Sequence, residues 1–461
     1  MAVPAFSILL LIAVGLAFAL YLLPPTSLAL AIAGALAAIA VLALAVARYD
    51  AAIAFGFAIF GVVQFQPAPT DAVFMCVIAI ALVTGRFDIQ RVPLSVLGAV
   101  GAFATINLLS MTEVINASHA AVFVTITLYL AVFSIWLAQY VNSPRHARIV
   151  FGAYLFAAVT SALIGILALL APLPGKEALL FDGDRAMALF KDPNVFGPFL
   201  VPAALILLED MLVPRVLRIR ASLKAGMLLL LVLGVIFSFS RAAWLNLALG
   251  IFIVFAVLLI GRGSARHAMR LLVLLMIGAA ATIFVLSATG SIHFLDERAA
   301  IQHYDNQRFG AQKFGIDYAE HHPLGAGPGQ FDVISPISAH STYVRVLVEQ
   351  GFLGIAILIA IIVITLVLAL RNCVIGRSTY GIGAAALLGA WCGTLANSFF
   401  VDTLHWRHLW LVAALIWAGA MRRVPDQDLP PVARTSDRPR PPAPDPLEVP
   451  INSRRLAPDP H

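Results

Sequence analysis

Charged side chains are scarce in this chain, and their scarcity excludes an ordinary soluble domain. Asp, Glu, Lys and Arg make up only 12% of its 461 residues, whereas 61% of the residues are hydrophobic. The mean hydropathy of +0.94 lies far above the range of water-soluble proteins. We therefore expect the chain to lie in a lipid bilayer.

Two further absences narrow the possible functions. Cysteine occurs only three times, with Cys76 and Cys392 inside apolar runs and Cys373 in a short basic loop. This spacing fits neither a disulfide framework nor a metal site. The net charge is +6, but the arginines are scattered between apolar runs and form no basic stripe, which argues against a nucleic-acid partner.

Long apolar runs follow one another almost without a break from Phe6 to Met421. A run of about 20 such residues crosses roughly 30 Å of hydrocarbon as a helix, which satisfies its own backbone groups in lipid. The pattern predicts an all-α, polytopic membrane domain over residues 1–421. Its predicted spans, about fourteen in number, lie at residues 5–23, 27–47, 51–65, 71–85, 93–110, 119–141, 148–171, 194–212, 222–240, 242–261, 270–288, 342–370, 381–400 and 404–421.

One pair of these spans depends on a turn that hydropathy alone does not show. Ala225–Ile260 is nearly unbroken, and a single helix of about 36 residues would be about 54 Å long, well beyond one membrane thickness. The chain must therefore fold back within this run. Arg241 is its only charge between residues 225 and 260, so we expect the turn at residues 237–241, with Arg241 at the outer membrane edge.

The basic residues predict the orientation of the spans. With this count, most of them fall on one side, which the positive-inside rule assigns to the cytoplasm. Both termini are then cytoplasmic, and the first apolar run is a retained span because MAVPAF lacks a basic signal region. Residues 422–461 hold 11 of the 27 prolines and are predicted to form a disordered cytoplasmic tail.

Two segments on the predicted outer side are too long and too polar to be simple turns. They are residues 172–194 and 290–341, which carry Lys and Arg against the positive-inside bias, together with several histidines. Basic residues in such a place need another explanation, and binding of an anionic ligand is a natural one.

The most informative stretch is HHPLGAGPGQF at residues 321–331, followed by AHSTYVRVLVEQGFLG at residues 339–354. The glycines and prolines permit a tight backbone path, and His340 comes just before a predicted helix that Ser341 or Thr342 would cap. Glu349 follows His340 by nine residues, or two and a half helical turns, so the two side chains should point in nearly opposite directions.

Four ordered features over residues 180–355 resemble the O-antigen ligase and exopolysaccharide polymerase superfamily of bacterial membrane glycosyltransferases. The features are RAMALFKDPNVFG at residues 185–197, SFSRAAW at 238–244, the arginine of YDNQRFG at 308, and the pattern of His340, Ser341, Glu349 and Gly351. The first half of the chain, and fourteen spans instead of the usual twelve, lie outside the resemblance. Ligase and polymerase therefore remain open.

The resemblance implies a GT-C-like architecture in the bacterial inner membrane and a site that faces the periplasm. Such enzymes transfer a glycan from undecaprenyl pyrophosphate to a glycan or lipid A-core acceptor, without nucleotide sugar, cofactor or metal. Carried over by position, Arg241 and Arg308 correspond to the pyrophosphate-binding arginines and His340 to the catalytic base. Each residue also has a simpler interpretation. Arg241 could anchor the helix at the membrane interface, Arg308 could be a solvated loop residue, and His340 could be an ordinary residue at a helix start.

Four other residues are possible supporting groups. Arg185 and Lys191, from the segment 172–194, are placed to close over the same site. His322 and Glu349 have structural alternatives: His322 as a residue that caps or packs the loop, and Glu349, like Arg345, as a member of an ion pair with another helix. Arginine suits the departing pyrophosphate because it is permanently charged and binds two oxygens at once, and histidine suits the base because its pKa lies near neutrality.

A metal-dependent site has one candidate motif, Asp182-Gly183-Asp184. This D-x-D pattern holds a divalent ion in nucleotide-sugar transferases, but a solvated loop is the interpretation we prefer. Asp192, followed by Pro193 and Asn194, is interpreted as the cap of the next span. We therefore predict no metal site.

A transporter or flippase for a lipid-linked or small anionic substrate is the main alternative function. Transporters place ionisable residues and broken helices near mid-membrane and often show related halves. The sequence has few charges at mid-span and no obvious internal repeat. Its polar residues gather in the two outer segments instead, which favours the transferase.

Overall fold

The computed structural model describes residues 39–65, 68–213, 215–260, 265–299 and 303–421. The predicted span at 5–23, most of the span at 27–47 and the predicted tail at 422–461 lie outside the described residues. The same holds for both termini, whose cytoplasmic placement stays a prediction. Residues 39–47 are helical and are followed by a short break at Arg48.

The described chain is almost entirely helical, as the apolar runs predict. Its first helices are α1 (Tyr49–Ala58), α2 (Pro69–Val83), α3 (Leu94–Leu109), α4 (Ala117–Tyr140), α5 (Pro144–Leu170) and α6 (Pro193–Leu212). They are followed by α7 (Ala221–Phe237), α8 (Arg241–Ile260), α9 (Ala265–Ala288), α10 (Ile292–Ala299), α11 (His303–His321), α12 (Phe331–Ile334), α13 (Thr342–Val374), α14 (Ala384–Asn397) and α15 (Arg407–Ala420).

Within the described residues, seven helices are long and apolar enough to cross a membrane: α3 (continued to Thr112), α4, α5, α6, α8, α9 and α13. Five shorter apolar helices, α1, α2, α7, α14 and α15, coincide with other predicted spans. The polytopic all-α prediction is thus confirmed. The number fourteen and the GT-C-like architecture stay predictions.

The predicted fold-back in the long apolar run is confirmed. Helix α7 ends at Phe237 and α8 begins at Arg241. The residues between them make the turn, in which Phe239 has a φ of 48°. A left-handed φ is uncommon for a bulky side chain and needs support from its surroundings. Here Phe239 is buried and packs edge-on against Phe294 of α10, at a centroid distance of 4.5 Å.

Several helices begin where the sequence supplies a capping side chain. Asp192 caps α6 by accepting a hydrogen bond from the amide of Asn194 at 2.8 Å, and Pro193 occupies the first helical position. Ser341 caps α13 by accepting from the amide of Val344. Both capping predictions are confirmed. Lys191 therefore lies directly before the start of α6, and His340 lies directly before the start of α13.

Helix α6 is the most enclosed of the seven long helices, with 89% of its apolar window buried, whereas α9 has only 17% buried. Large aromatic side chains fill the core beside α6, where Phe60, Tyr154 and Phe190 all contact Phe199 or its neighbours. A buried α6 surrounded by helices fixes the positions of both its ends. One end carries Asp192, and the other carries Glu209 and Asp210.

The long polar segment at 290–341 is largely helical, because it contains α10, α11 and α12. The other polar segment contains a small antiparallel hairpin, β1 (Leu180–Phe181) and β2 (Arg185–Ala186). The prediction that neither segment is a simple turn is confirmed.

The described connections fall at two ends of the helices. The end that we call the loop end carries residues 59–65, 110–116, 171–192, 238–240, 303–341 and 398–406. Backbone bonds join these connections, such as Val63 N to Leu189 O at 3.0 Å and Thr342 N to Ser398 O at 3.0 Å. The opposite end, which we call the basic end, carries Arg48, Arg86, Arg91, Arg145, Arg148, Arg215, Arg218, Arg220, Lys224, Arg266, Arg270, Arg371 and Arg377.

Candidate functional site

The turn between α7 and α8 carries Arg241 at the loop end, and Arg185 supports this turn. The Arg185 guanidinium donates from Nε to the carbonyl oxygen of Ser238 at 3.2 Å and from Nη2 to Oδ1 of Asn194 at 3.3 Å. Arg185 is only 7% exposed. Arg185 therefore ties β2 and the start of α6 to the turn that precedes Arg241, as a buried positioning group.

Arg241 forms an ion pair with Asp305 of α11. Its Nη2 donates to both carboxylate oxygens of Asp305, at 2.6 and 2.8 Å. The Arg241 side chain is 32% exposed, whereas the Asp305 side chain is 10% exposed. The pair thus fastens the start of α11 to the start of α8 and leaves part of the guanidinium at the surface.

Arg308 lies one turn after Asp305, so both side chains project from nearly the same face of α11. One further turn along, Gln312 donates from Nε2 to the carbonyl oxygen of His340 at 3.3 Å. One face of α11 therefore links the Arg241 turn to the segment that precedes α13. This linkage is how the fold brings Arg241, Arg308 and His340 to one place.

His340 is partly buried and sits in a strained backbone conformation, with a φ of 45°. Burial lowers the pKa of its imidazole, and the positive charge of Arg308 lowers it further. The carboxylates of Asp192 and Asp332 act in the opposite direction but do not cancel these effects. At neutral pH the imidazole is therefore predominantly in its neutral form, in which one ring nitrogen accepts a proton.

The glycine-rich loop at 323–329 docks into a break in α13. Gly351 has a φ of 67° and a ψ of −168°, which interrupts the helix. The amides of Ala326 and Gly327 donate to the carbonyl oxygens of Val348 and Glu349, at 2.8 and 2.9 Å. A Cβ on Gly325 would lie 2.5 Å from the Glu349 oxygen, so this loop approaches the helix as closely as only glycine permits.

Glu349 completes this docking from inside the protein. It is fully buried, and its carboxylate accepts from the amide of Gly329 at 2.8 Å and from the amide of Phe331 at 3.2 Å. Arg345, one turn earlier, donates to Glu349 at 3.1 Å. Glu349 therefore belongs to a buried ion pair, but its partner lies on the same helix and not on another helix as expected. Its bonds to the two loop amides account for the spacing between the two motifs.

Arg345 joins this loop to three other parts of the loop end. Its guanidinium contacts both oxygens of Asp332 at 3.0 Å and Oδ2 of Asp402 at 2.8 Å. It also donates to the hydroxyl of Ser338 at 2.8 Å. The segment that carries His340 is thus held between α11 on one side and the Arg345 network on the other.

The connection between α3 and α4 braces the same loop. The buried amide side chain of Gln330 accepts from the amides of Ile115 and Asn116 at 3.0 and 2.8 Å, and it donates to the Asn116 carbonyl at 3.2 Å. His119 contacts the Gly329 carbonyl through Nδ1 at 2.7 Å. The first half of the chain therefore supports a loop that lies in the second half.

The structure separates His322 from the other candidates. Its exposed ring stacks on Tyr318, with a centroid distance of 4.0 Å, and its Nδ1 contacts the Tyr318 carbonyl at 3.0 Å. From Arg308 to His322 is about 21 Å along the helix direction at 1.5 Å per residue. These contacts agree with the alternative in which His322 packs the loop.

Lys191 is exposed and precedes the cap of α6. Partial burial lowers the pKa of its amine, and the charge of Arg407 lowers it further. Arg407 is itself paired with Asp71 of α2 through two nitrogens. Lys191 therefore belongs to the loop end, on the side of α15.

The Asp182-Gly183-Asp184 motif forms the exposed turn of the β1–β2 hairpin, where Asp182 and Gly183 have φ angles of 52° and 81°. The preferred interpretation as a solvent-facing loop is confirmed. Over the described ranges, no three His, Cys, Asp or Glu side chains are grouped to hold a metal ion.

Sequence reasoning missed Asp305 and the two aspartates, Asp332 and Asp402, that pair with Arg345. Asp305 had a local signal, because it stands three residues before Arg308 and shares its helix face. Asp332 and Asp402 had none, because each meets Arg345 only through the tertiary fold.

Residues 226–359 match the model of the O-antigen ligase family. The match contains Arg241, Asp305, Arg308, His340 and Glu349, and it spans α7 to the middle of α13. A comparison with curated proteins gives no significant match. The resemblance carried by the motifs is thereby confirmed for residues 226–359, which are similar to the O-antigen ligase family.

Proposed function

We propose that this chain is a membrane glycosyltransferase that moves a glycan from undecaprenyl pyrophosphate to a hydroxyl of a sugar acceptor. The observation that carries the proposal is the linkage through α11. Asp305 pairs with Arg241 and Gln312 bonds to the backbone of His340, and Arg308 lies between Asp305 and Gln312 on α11. Two arginines that suit a pyrophosphate are thereby brought near a histidine that suits a base. The family match supports the same reaction class.

The proposed step exchanges one carbon–oxygen bond for another and moves one proton from oxygen to nitrogen. The acceptor hydroxyl attacks the anomeric carbon of the donor sugar while its proton passes to the neutral imidazole of His340. The bond between the anomeric carbon and the pyrophosphate oxygen breaks, and its electron pair stays on that oxygen. Arg241 and Arg308 stabilise the charge that develops there, which is the role of preorganised cations in such a transition state.

Asp305 has a defined place in this proposal. In the structure the Asp305 carboxylate accepts hydrogen bonds from Nη2 of Arg241. A pyrophosphate that binds Arg241 through this nitrogen must share it with Asp305 or displace the carboxylate. We expect donor binding to shift the start of α11, because Asp305 belongs to that helix.

The proposed site lies at the periplasmic face. The basic end carries most of the arginines of the apolar helices and their connections, and the positive-inside rule assigns such an end to the cytoplasm. The loop end, with Arg241 and His340, then faces the other way. Attachment of cysteine-directed, membrane-impermeant reagents to single cysteines introduced at residues 182 and 371 tests this orientation.

The distribution of charge favours a transferase over a transporter. In the described apolar helices, every Asp, Glu, Lys and Arg lies within about two turns of a helix end. The break in α13 at Gly351 is filled by the loop 323–329, which bonds to the backbone of α13 on both sides of the break. This arrangement lacks the mid-membrane ionisable groups typical of transporters.

The decisive experiment uses purified full-length protein and a lipid-linked repeat unit, with and without a lipid A-core acceptor. Arg241→Ala, Arg308→Ala and His340→Ala are expected to abolish transfer while the protein still inserts in the membrane. His322→Ala, outside the proposed site, is the matched control and should retain activity. Normal transfer by the arginine or His340 variants would refute the roles proposed for these residues. Lengthening chains would indicate a polymerase, and a single transfer to the core a ligase.

A further inference from the structure

A cavity of about 310 Å³ lies at the basic end, between the end of α6 and the start of α7. Its lining includes Arg215, Arg218 and Lys224, with Met211 and Ile219. Helix α7 runs from Ala221 to Phe237, so the cavity is about 25 Å along this helix from the turn at Arg241. It is therefore a place distinct from the proposed glycan-transfer site.

Asp210 holds together the segment that lines this cavity. Its Oδ1 accepts from the amides of Arg215 and Val216, both at 2.8 Å, and its Oδ2 accepts from the amide of Leu217 at 3.3 Å. The buried amine of Lys224 donates to Oδ2 at 2.7 Å and to the Asp210 carbonyl at 3.2 Å. These bonds fold residues 215–217 around one carboxylate.

The acceptor capacity of Asp210 is consumed by these bonds. A carboxylate offers about four lone-pair sites, and three amides and one ammonium already use them. The charge of the carboxylate is balanced by Lys224. Asp210 therefore does not neutralise the side chains of Arg215 and Arg218, which are both exposed.

The other nearby acid is engaged elsewhere. The charge of Glu209 interacts with that of Arg215, but Glu209 is buried against α14, where its Oε2 accepts from the amide of Ala386 at 2.6 Å. In the part of the chain that the structure describes, neither Arg215 nor Arg218 forms an ion pair with a carboxylate. The cavity thus presents two guanidinium groups with excess positive charge.

The surroundings of the cavity indicate what kind of anion fits it. Ile219, which lines the cavity, is 39% exposed, and Leu223, which directly precedes the lining residue Lys224, is 51% exposed, so apolar surface is available next to the two arginines. Guanidinium groups bind phosphate oxygens in pairs, and basic pockets between membrane helices are suited to phospholipid headgroups. The positive-inside bias explains why arginines occur at this end. This bias does not explain why Arg215 and Arg218 line the same cavity while the nearby carboxylate of Asp210 is already bonded to Lys224 and three backbone amides.

We propose that this cavity binds the phosphate of an anionic phospholipid headgroup, with Arg215 and Arg218 on the phosphate and the acyl chains along Ile219 and Leu223. The proposal is independent of the glycan-transfer reaction. It identifies a lipid-binding site at the end of the molecule away from Arg241 and His340.

The test measures phosphatidylglycerol binding to purified full-length protein by native mass spectrometry, with phosphatidylcholine as the uncharged comparison. The double variant Arg215→Gln/Arg218→Gln is compared with Arg270→Gln/Arg371→Gln, which removes the same charge from the same end but outside the cavity. Because each lost guanidinium removes charge-assisted hydrogen bonds to the phosphate, the first variant should bind about 30-fold more weakly. The second should bind like the unaltered protein.

Three outcomes would overturn the proposal. Equal losses in both double variants would show general attraction to a basic surface, and no loss in either would show that the cavity does not bind the lipid. Displacement of phosphatidylglycerol by inorganic phosphate at equal concentration would assign the site to free phosphate instead. Arg215→Lys/Arg218→Lys guards against misfolding, because it keeps the charge and should bind more tightly than the Gln pair but less tightly than arginine.

Discussion

Replacing Gly351 by alanine tests whether docking of the loop 323–329 into α13 holds the site together. Gly351 has a φ of 67° and a ψ of −168°, a region that residues with a Cβ avoid. The added Cβ would lie 2.7 Å from the Leu324 carbonyl carbon and closer still to the Pro323 oxygen. Both neighbours are backbone atoms, so a change of side-chain rotamer does not relieve the overlap.

The size of the effect follows from these contacts. A backbone conformation of this kind costs about 1–3 kcal/mol for a residue with a Cβ. Moving the loop away would also break the bonds from Ala326 to Val348 and from Gly327 to Glu349, at about 1 kcal/mol each. We therefore expect Gly351→Ala to weaken the docked state by about 3–5 kcal/mol.

The assay compares thermal unfolding in detergent and glycan transfer for Gly351→Ala and for Gly98→Ala. Gly98 lies inside α3, where an added Cβ meets no atom within 4 Å, so alanine there should be neutral or stabilising by up to about 1 kcal/mol. Gly351→Ala should lower the apparent Tm and reduce transfer. If Gly351→Ala matches the unaltered protein in both measurements, the reasoning on the docked loop is wrong.

Three further predictions concern the loop end. Because burial and the charge of Arg308 lower the pKa of His340, the acid limb of the pH profile of transfer should lie below 6.5, and a limb at or above 6.5 in the unaltered protein would contradict this. In Arg308→Gln, which is expected to be inactive, the pKa of His340 measured by the pH dependence of its chemical modification should rise, whereas Arg308→Lys should leave it in place. Arg185→Ala should lower the free energy of unfolding by about 2 kcal/mol, because two charge-assisted hydrogen bonds to Ser238 and Asn194 are lost. In thermal unfolding, Arg185→Lys should recover only part of this lost stability. Transfer should persist in EDTA because the arginines supply the positive charge, and activity that requires added magnesium would contradict this prediction.

The sequence alone predicted the membrane class, the helical fold and the turn near Arg241. These features depend on local quantities, namely the length of apolar runs, the thickness of the hydrocarbon and the placement of charges. The capping roles of Asp192 and Ser341 were also predictable, because a cap is a contact within one turn of a helix. The resemblance to the O-antigen ligase family was recognisable from the order of short motifs in the second half of the chain, and the family match covers residues 226–359.

Tertiary structure alone decided which of the candidate residues act together. Asp305 pairs with Arg241 across 64 positions of sequence, and Gln330 reaches the connection between α3 and α4 across 214. Hydropathy does not encode such contacts, since they depend on how the helices pack. Glu349 and the glycine-rich loop illustrate the same limit, because their motifs were visible but their docking through the break at Gly351 was not. The sequence thus specified which groups stand at helix ends, and packing determined which of those ends meet.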